Sequence, residues 1–247
     1  MNIIWLDTID STNTEALRRL PELPSLTVLA AREQTAGRGQ RGNTWFTEPG
    51  KNLTFSIVLK FGEGELHASQ VHWLNYLISV VVADFLQSHG IWCKVKWPND
   101  VYVGKNKICG ILIENSLKGE WVHAAVVGVG LNVNQRAFPQ LANATSLWCC
   151  LGEEFSLEEC LEQLMAAFED RLPDLLDAKA RGGLFSNYSS HLFNKDVQAH
   201  YHDYLTEREY VGVIQGVEPD GRLCIQDLET PGKPYRYYRF KEVGYIL

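Results

Sequence analysis

Residues 3–6 are a short apolar run that predicts a strand, and the polar stretch behind them, DSTNTEALRRL, takes up helical spacing at Ala16, Leu17 and Leu20. Thr12 and Glu15 stand at capping-box spacing, so a helix is expected from about residue 12. Residues 26–31 are apolar without interruption and read as a buried strand that leads straight into a glycine-rich segment. Residues 52–60, NLTFSIVLK, alternate well enough to be the next strand. Over residues 69–88, Val71, Leu74, Leu77, Ile78, Val81, Val82, Phe85 and Leu86 recur at helical spacing with Gly90 as a stop, the pattern of a core helix. Residues 92–96, 101–103, 108–114 and 121–134 then read as successive strands, with Gly104 and Lys118-Gly119 as turns. Ser156 and Glu159 form a second capping box for an acidic amphipathic helix to about residue 176, expected to break at Pro173. A last helical segment runs from Gly182-Gly183 to about Phe193. Beyond it the chain turns to short β-like pieces, VQAHYHDYL, YVGVIQGV, GRLCIQDL and YRYYRFKEVGYIL, with a hairpin turn at Pro219-Asp220-Gly221. The pattern predicts an α+β fold. A mixed, mainly antiparallel sheet flanked by helices occupies residues 1–193, and a small C-terminal β-barrel occupies residues 194–247.

Length supports that division, because 247 residues exceed the usual single core of roughly 100–200 and leave room for an appendage. Hydrophobic residues at 45% and charged residues at 21% are ordinary for a folded protein and argue against disorder. The net charge of -7 and pI near 5.5 argue against a general nucleic-acid binder, so any anion site has to be local. No run reaches the roughly 18 apolar residues of a membrane span, and the start MNIIWLDTID lacks the features of a signal peptide. A cytoplasmic location without membrane or nucleic-acid partners is therefore expected. Cysteines 93, 109, 149, 150, 160 and 224 form no C-x-x-C pair, and His191, His200 and His202 have no spaced carboxylate beside them. Reduced thiols and no metal-ligating set among the protein's own side chains are the reading.

Three clusters carry chemistry. The loop TAGRGQRGNTWF puts glycines at 37, 39 and 42 beside Arg38 and Arg41, which suits close backbone approach to an anion with planar donors around it, and it equally suits a solvated surface loop. It lacks the G-x-x-x-x-G-K-[ST] and G-x-G-x-x-G patterns. Trp45 behind it suits base stacking or core packing. In KVKWPND, Pro98 rigidifies a turn that would carry Asn99 and Asp100 off a strand end. Lys107 follows, entering the apolar strand KICGILIE, where a buried lysine needs an anionic partner and a surface one does not. In VVGVGLNVN, Gly128 and Gly130 suggest close approach by a ligand, a bulge or tight sheet packing, and Asn132 and Asn134 share one face.

Taken in order, DSTN (10–13), QTAGRGQRGNTW (34–45), KWPND (96–100), KICGILIE (107–114) and GVGLNVN (128–134) resemble the biotin protein ligases, over essentially the whole chain. The resemblance implies a class II synthetase-like catalytic core with an SH3-like C-terminal barrel. It also implies an ATP-dependent enzyme of the biotin–[acetyl-CoA-carboxylase] ligase type, which forms biotinyl-5′-AMP, releases pyrophosphate and transfers biotin to one lysine of a biotin carboxyl carrier domain. It assigns biotin to Ser11, Thr12, Asn13, Gln34, Gly37, Arg38, Gly39, Gln40, Lys107, Gly110, Gly128 and Gly130. ATP is assigned to Arg38, Arg41, Trp45, Lys96 and Asn132. Lys107, Arg38 and Asp100 are the expected catalytic residues. Lys107 would meet the biotin carboxylate, Asp100 would orient or deprotonate the acceptor lysine, and Mg²⁺ would accompany ATP.

Two departures from that family matter. Gln40 stands where many relatives have an arginine that helps retain the adenylate, and only nine residues precede DSTN, so no DNA-binding winged helix is expected. A monomer or a sheet-to-sheet homodimer would both fit. The competing reading is a lipoate ligase or octanoyl transferase of the same architecture, whose RRxSGGG-type segment differs from GRGQRGN. A biotin-sensing module without chemistry is disfavoured by the presence of Lys107 and both loop arginines.

Overall fold

The apolar runs fold into one large sheet because its central strands can be buried on both faces while helices cover one of them. In the computed structural model, which describes every residue except Gln140, Ala142 and Leu247 and every side chain of these but that of Arg41, the main body runs in a simple order. It contains β1 (Asn2–Ile9), α1 (Thr12–Arg18), β2 (Thr27–Gln34), β3 (Leu53–Lys60), α2 (His72–Ser88), β4 (Lys94–Lys96), β5 (Asp100–Val103), β6 (Asn106–Lys118), β7 (Trp121–Leu131), α3 (Leu147–Leu151), α4 (Leu157–Leu176) and α5 (Arg181–Ser190). The seven strands lie in the order β1-β2-β3-β7-β6-β5-β4. The β1–β2 pair is parallel and all other neighbours are antiparallel. The α+β architecture expected above is the one found.

Strand periodicity decides which face does what. Phe55, Val129 and Ile111 are cross-strand neighbours on one face and belong to the main core, together with Leu77, Val81 and Phe85 of α2 and Leu161, Leu164 and Phe168 of α4. The other face is only partly covered. There α1 packs on β3 and β7, with Ala16 against Leu29, Val58 and Val126, and the rows of residues beyond it stay open.

Local details depart from the expected pattern in two places, and at a third an open alternative is decided. Thr12 makes no capping box. Ser11 is the cap residue and forms no side-chain cap bond, while the Thr12 N–H and hydroxyl both donate to Gln34 Oε1 of the adjacent β2, at 2.7 and 3.1 Å. Pro173 does not break α4, which continues to Leu176. It sits in the last turn, where a missing N–H removes a single helical bond, and Asp177 N–H closes the turn onto the Pro173 carbonyl at 3.1 Å. Gly128 and Gly130 lie in unbroken register, and the irregularity of this region falls at residues 107–109 instead. Half of the capping box expected at Ser156 forms, its hydroxyl accepting the Glu159 N–H at 3.2 Å.

Past residue 194 the chain adds β8 (Gln198–Asp203), β9 (Arg208–Val217), β10 (Leu223–Asp227), β11 (Tyr235–Tyr238) and β12 (Val243–Ile246), an antiparallel sheet in the order β11-β10-β9-β8-β12. Gly221 closes the β9–β10 turn with φ of 88°. The six cysteines are free thiols, four of them buried.

Candidate active site

The open rows of the large sheet form the floor of a cleft of about 390 Å³, the size of a small-molecule site. Thr54, Gly130, Gly110, Asp100 and Lys96 are successive cross-strand partners from β3 through β7, β6 and β5 to β4. One row on, Ser56, Gly128 and Leu112 are partners in the same way. Glycines at the centre leave bare backbone where side chains would otherwise fill the space.

Lys107 reaches this face through a β-bulge. Val101 pairs with Cys109 and Tyr102 with Lys107, so Ile108 is the extra residue, and beyond it the side-chain alternation is reversed. Lys107 thereby stands beside Asp100 with Nζ 2.8 Å from Oδ1, each about 29% exposed. Main-chain bonds anchor it from the far side, since Lys107 N–H donates to Asn143 O at 2.9 Å and Lys107 O accepts from Thr145 N–H at 3.0 Å.

The TAGRGQRGNTWF loop folds back on itself over the floor. Gly39 N–H donates to Asn43 O at 2.7 Å and Trp45 N–H to Gly37 O at 2.9 Å, a closure that leaves no room for a side chain at Gly37. The return carries the Trp45 indole onto the floor, where a Cβ on Gly130 would collide with it and one on Gly110 would come within 2.9 Å of Cζ3. Lys107 Nζ lies 5.4 Å from the same ring. Arg38 reaches across to Glu114 of β6 in a two-pronged pair of 2.8 and 3.1 Å, and Gln40 Nε2 donates to Ile111 O at 3.4 Å.

At the opposite end a polar network is packed against Gly128. Ser56 Oγ sits 2.8 Å from Thr12 Oγ1 and 2.6 Å from Asn13 Oδ1, and Asn13 Nδ2 donates to Leu112 O at 3.2 Å and Glu114 Oε2 at 3.0 Å. Both amide protons of Asn13 and both lone pairs of Gln34 Oε1 are thereby engaged within the protein, so Asn13 and Thr12 present a shaped wall more than free donors. Gln34 Nε2 has no acceptor among the described residues. Any Cβ on Gly128 would strike the Asn13 amide.

The C-terminal sheet roofs the cleft. Tyr204, Phe240, Lys241, Val243, Gly244 and Tyr245 all line it, and Lys96 Nζ lies between the rings of Tyr245 and Tyr102, at 4.8 and 5.2 Å. Burial lowers the Lys96 pKa and Lys107 pushes the same way, against the opposing pull of Asp100. Asp100 is the one acidic side chain among the described lining residues.

The structure thus brings Ser11, Thr12, Asn13, Gln34, Arg38, Gly39, Gln40, Trp45, Lys96, Asp100, Lys107, Gly110, Gly128 and Gly130 to one cleft. The Arg41 side chain lies outside the described residues. Gly37 packs behind the loop. Asn132 is buried outside the lining, donating from Nδ2 to Thr145 O at 2.9 Å. Ser56, Glu114 and the roof residues were not among the predicted site residues; Ser56 could have been found from its period-two relation to Thr54 in a strand facing glycines, and the roof had no local signal.

The model of the biotin/lipoate A/B protein ligase family matches residues 5–132. The chain belongs to that family. It is 30% identical over 231 residues to the bifunctional ligase/repressor BirA of Escherichia coli K12, covering 91% of this chain and 69% of that protein. With the biotin–[acetyl-CoA-carboxylase] ligase of Paracoccus denitrificans it shares 40% identity over 130 residues, 50% of this chain. The matched stretch spans about half of that protein and of BirA from Bacillus spizizenii, 51% and 55%. Among solved structures, the biotin protein ligase from Aquifex aeolicus in complex with biotin and ATP superposes with a TM-score of 0.78 at 27% identity, covering 98% of this chain and 97% of that one. No helix among the described residues is long and apolar enough to cross a membrane.

Proposed function

We propose that this chain is a biotin protein ligase, which joins biotin to AMP and passes the biotinyl group to a lysine of a biotin carboxyl carrier domain. The observation that carries the reading is the Lys107–Asp100 pair at the end of a glycine floor on which the Trp45 indole lies. With its carboxylate at Lys107, an acyl tail would run beside the Trp45 indole, which itself lies on Gly130 and Gly110, and the polar wall of Thr12, Asn13 and Gln34 suits a ureido ring at the other end.

In the first step a biotin carboxylate oxygen attacks the α-phosphorus of ATP, and the bond to the leaving pyrophosphate breaks. Lys107 holds the carboxylate and offsets the charge gathering around phosphorus. Arg38 and Lys96 supply cations for the nucleotide, and Trp45 supplies a flat face for its base. Asp100, the one acidic side chain among the described lining residues, fits a Mg²⁺ ion carried mainly by the nucleotide phosphates. Asp100 would hold that ion, which supplies charge neutralisation when bound. In the second step the acceptor amine attacks the acyl carbon, AMP leaves with the bonding electrons, and Asp100 receives the proton that the amine sheds. Residues 1–193 act as the catalytic unit and residues 194–247 as its cover. Free thiols and the need for ATP are consistent with action in the cytoplasm.

Biotin-dependent exchange of labelled pyrophosphate into ATP tests the reading. We expect exchange with biotin and, for Lys107→Ala, a loss of about 100-fold or more, the scale of removing a group that stabilises developing charge. No exchange, or equal exchange with lipoate, would overturn it.

A further inference from the structure

Glu114 closes the KICGILIE segment, and nothing in the proposed chemistry uses it. Its carboxylate nevertheless joins two parts of the cleft, by the shortest charged contacts between them among the described residues. Oε1 and Oε2 accept from the two terminal nitrogens of Arg38, at 2.8 and 3.1 Å, and Oε2 also accepts from Asn13 Nδ2 at 3.0 Å. Arg38 belongs to the glycine loop that carries Trp45, and Asn13 belongs to α1 and to the wall beside Gly128. Glu114 itself is fixed in β6 opposite Val126, on the face of the sheet that holds Gly110 and Leu112.

Among the described residues, the loop's other polar side-chain ties to the body are weaker. Gln40 Nε2 reaches Ile111 O at 3.4 Å, and Arg38 Nη1 reaches Thr14 Oγ1 at 3.5 Å. Both are long neutral-acceptor contacts, whereas the pair to Glu114 is charge-assisted and two-pronged. With glutamine at position 40, the loop has that much less charge of its own to hold it down.

We infer that Glu114 is a positioning residue, the latch that holds the glycine loop over the bound intermediate and ties loop closure to the setting of Asn13. The inference rests on the ligase reading. It assigns Glu114 no contact with the reacting atoms; it acts through Arg38 and Asn13.

The test follows loss of enzyme-bound biotinyl-adenylate from the full-length protein after unbound ligand is removed, beside the biotin KM and the melting temperature. Glu114→Gln keeps a carbonyl acceptor for Asn13 and loses the charge facing Arg38. It should release the adenylate roughly fivefold faster, with the biotin KM close to wild type, because a half-exposed ion pair contributes modestly. Glu114→Ala removes both acceptors and should raise release and the biotin KM together. Added salt should speed release from the wild type by screening the latch and leave Glu114→Gln nearly unresponsive. Melting temperatures near wild type separate this from general loosening of the fold. Adenylate held by Glu114→Gln as long as by the wild type, or a salt response identical in the two, would overturn the latch while leaving the ligase reading intact. A wild-type protein that forms no adenylate would instead bring down that reading, and the latch with it.

Discussion

Trp45 rests on the backbone of Gly110 and Gly130, and its indole Nε1 is buried without an acceptor among the described residues. An N–H without a partner adds nothing to stability, so Trp45→Phe should keep the melting temperature within a few degrees of wild type. The wider indole face is what a nucleotide base would use. The same variant should raise the KM for ATP severalfold in pyrophosphate exchange, a loss of about 1 kcal/mol, with little change for biotin. Equal shifts in both constants would remove the proposed base contact. Single residues were legible to unequal degrees. Lys107, Asp100 and the strand glycines stand out because their types are costly inside a strand and ask for a reason. Ser56 and Glu114 are ordinary in strands, and each acquires its part through a partner far along the chain, Asn13 for the one and Arg38 for the other. No local pattern encodes such a meeting.

Between elements, the sheet's open face and the loop above it were shaped together. Gly130 lies in regular strand conformation, so alanine there strains no backbone; its added methyl group would instead meet the Trp45 ring. Gly130→Ala should fold with lowered stability, by about 1 kcal/mol, while adenylate formation falls at least tenfold, about 1.4 kcal/mol of barrier, because the loop can no longer settle. In a Trp45→Ala background, which already lacks the proposed base contact, adding Gly130→Ala should cost much less than tenfold because the collision is gone. The same tenfold loss in that background would mean that the methyl group blocks the ligand itself and not the loop. At this scale the strands and helices follow from periodicity, but the bulge at Ile108 does not. Residues 107–113 read as an apolar strand with or without an extra residue, and only the partners Val101 and Tyr102 reveal which side Lys107 takes. The Thr12 cap failed for a related reason. A tertiary acceptor, Gln34, captured the groups that a local capping box would have used.

Across the whole molecule, the C-terminal sheet matters because it roofs the cleft, and that sheet is held by buried carboxylates. Alternating short strands disclosed a small β unit, yet which way it faces is decided by packing between β12 and the large sheet, through Tyr245 over Lys96. Asp227 at the end of β10 is fully buried. Its Oδ2 accepts from Arg236 at 2.8 Å and Thr230 Oγ1 at 2.7 Å, and its Oδ1 from the Glu229 and Thr230 N–H groups at 2.9 and 3.0 Å. Burial pushes the Asp227 pKa up, but the Thr230 hydroxyl, the two backbone donors and Arg236 outweigh it and hold the carboxyl well below the usual range. Asp203 is lowered likewise, burial again being overcome by the Leu205 N–H and the hydroxyls of Tyr238 and Thr206. Groups depressed in the folded state stabilise it fully above the unfolded value of about 4, and that contribution drains away as pH falls from there toward their folded values. Melting curves from pH 7 to pH 3 should therefore show a loss of stability beginning near pH 4. Asp227→Asn removes a charge whose arginine partners remain, at a cost of about 3 kcal/mol, so it should melt markedly lower at pH 7 and show a shallower decline on acidification. Because the roof packs against Lys96, the residue proposed to serve the nucleotide, ATP binding should weaken in that variant before biotin binding does, which titrating each ligand separately would reveal. A variant that melts like the wild type at pH 7 would mean that the sheet does not depend on Asp227.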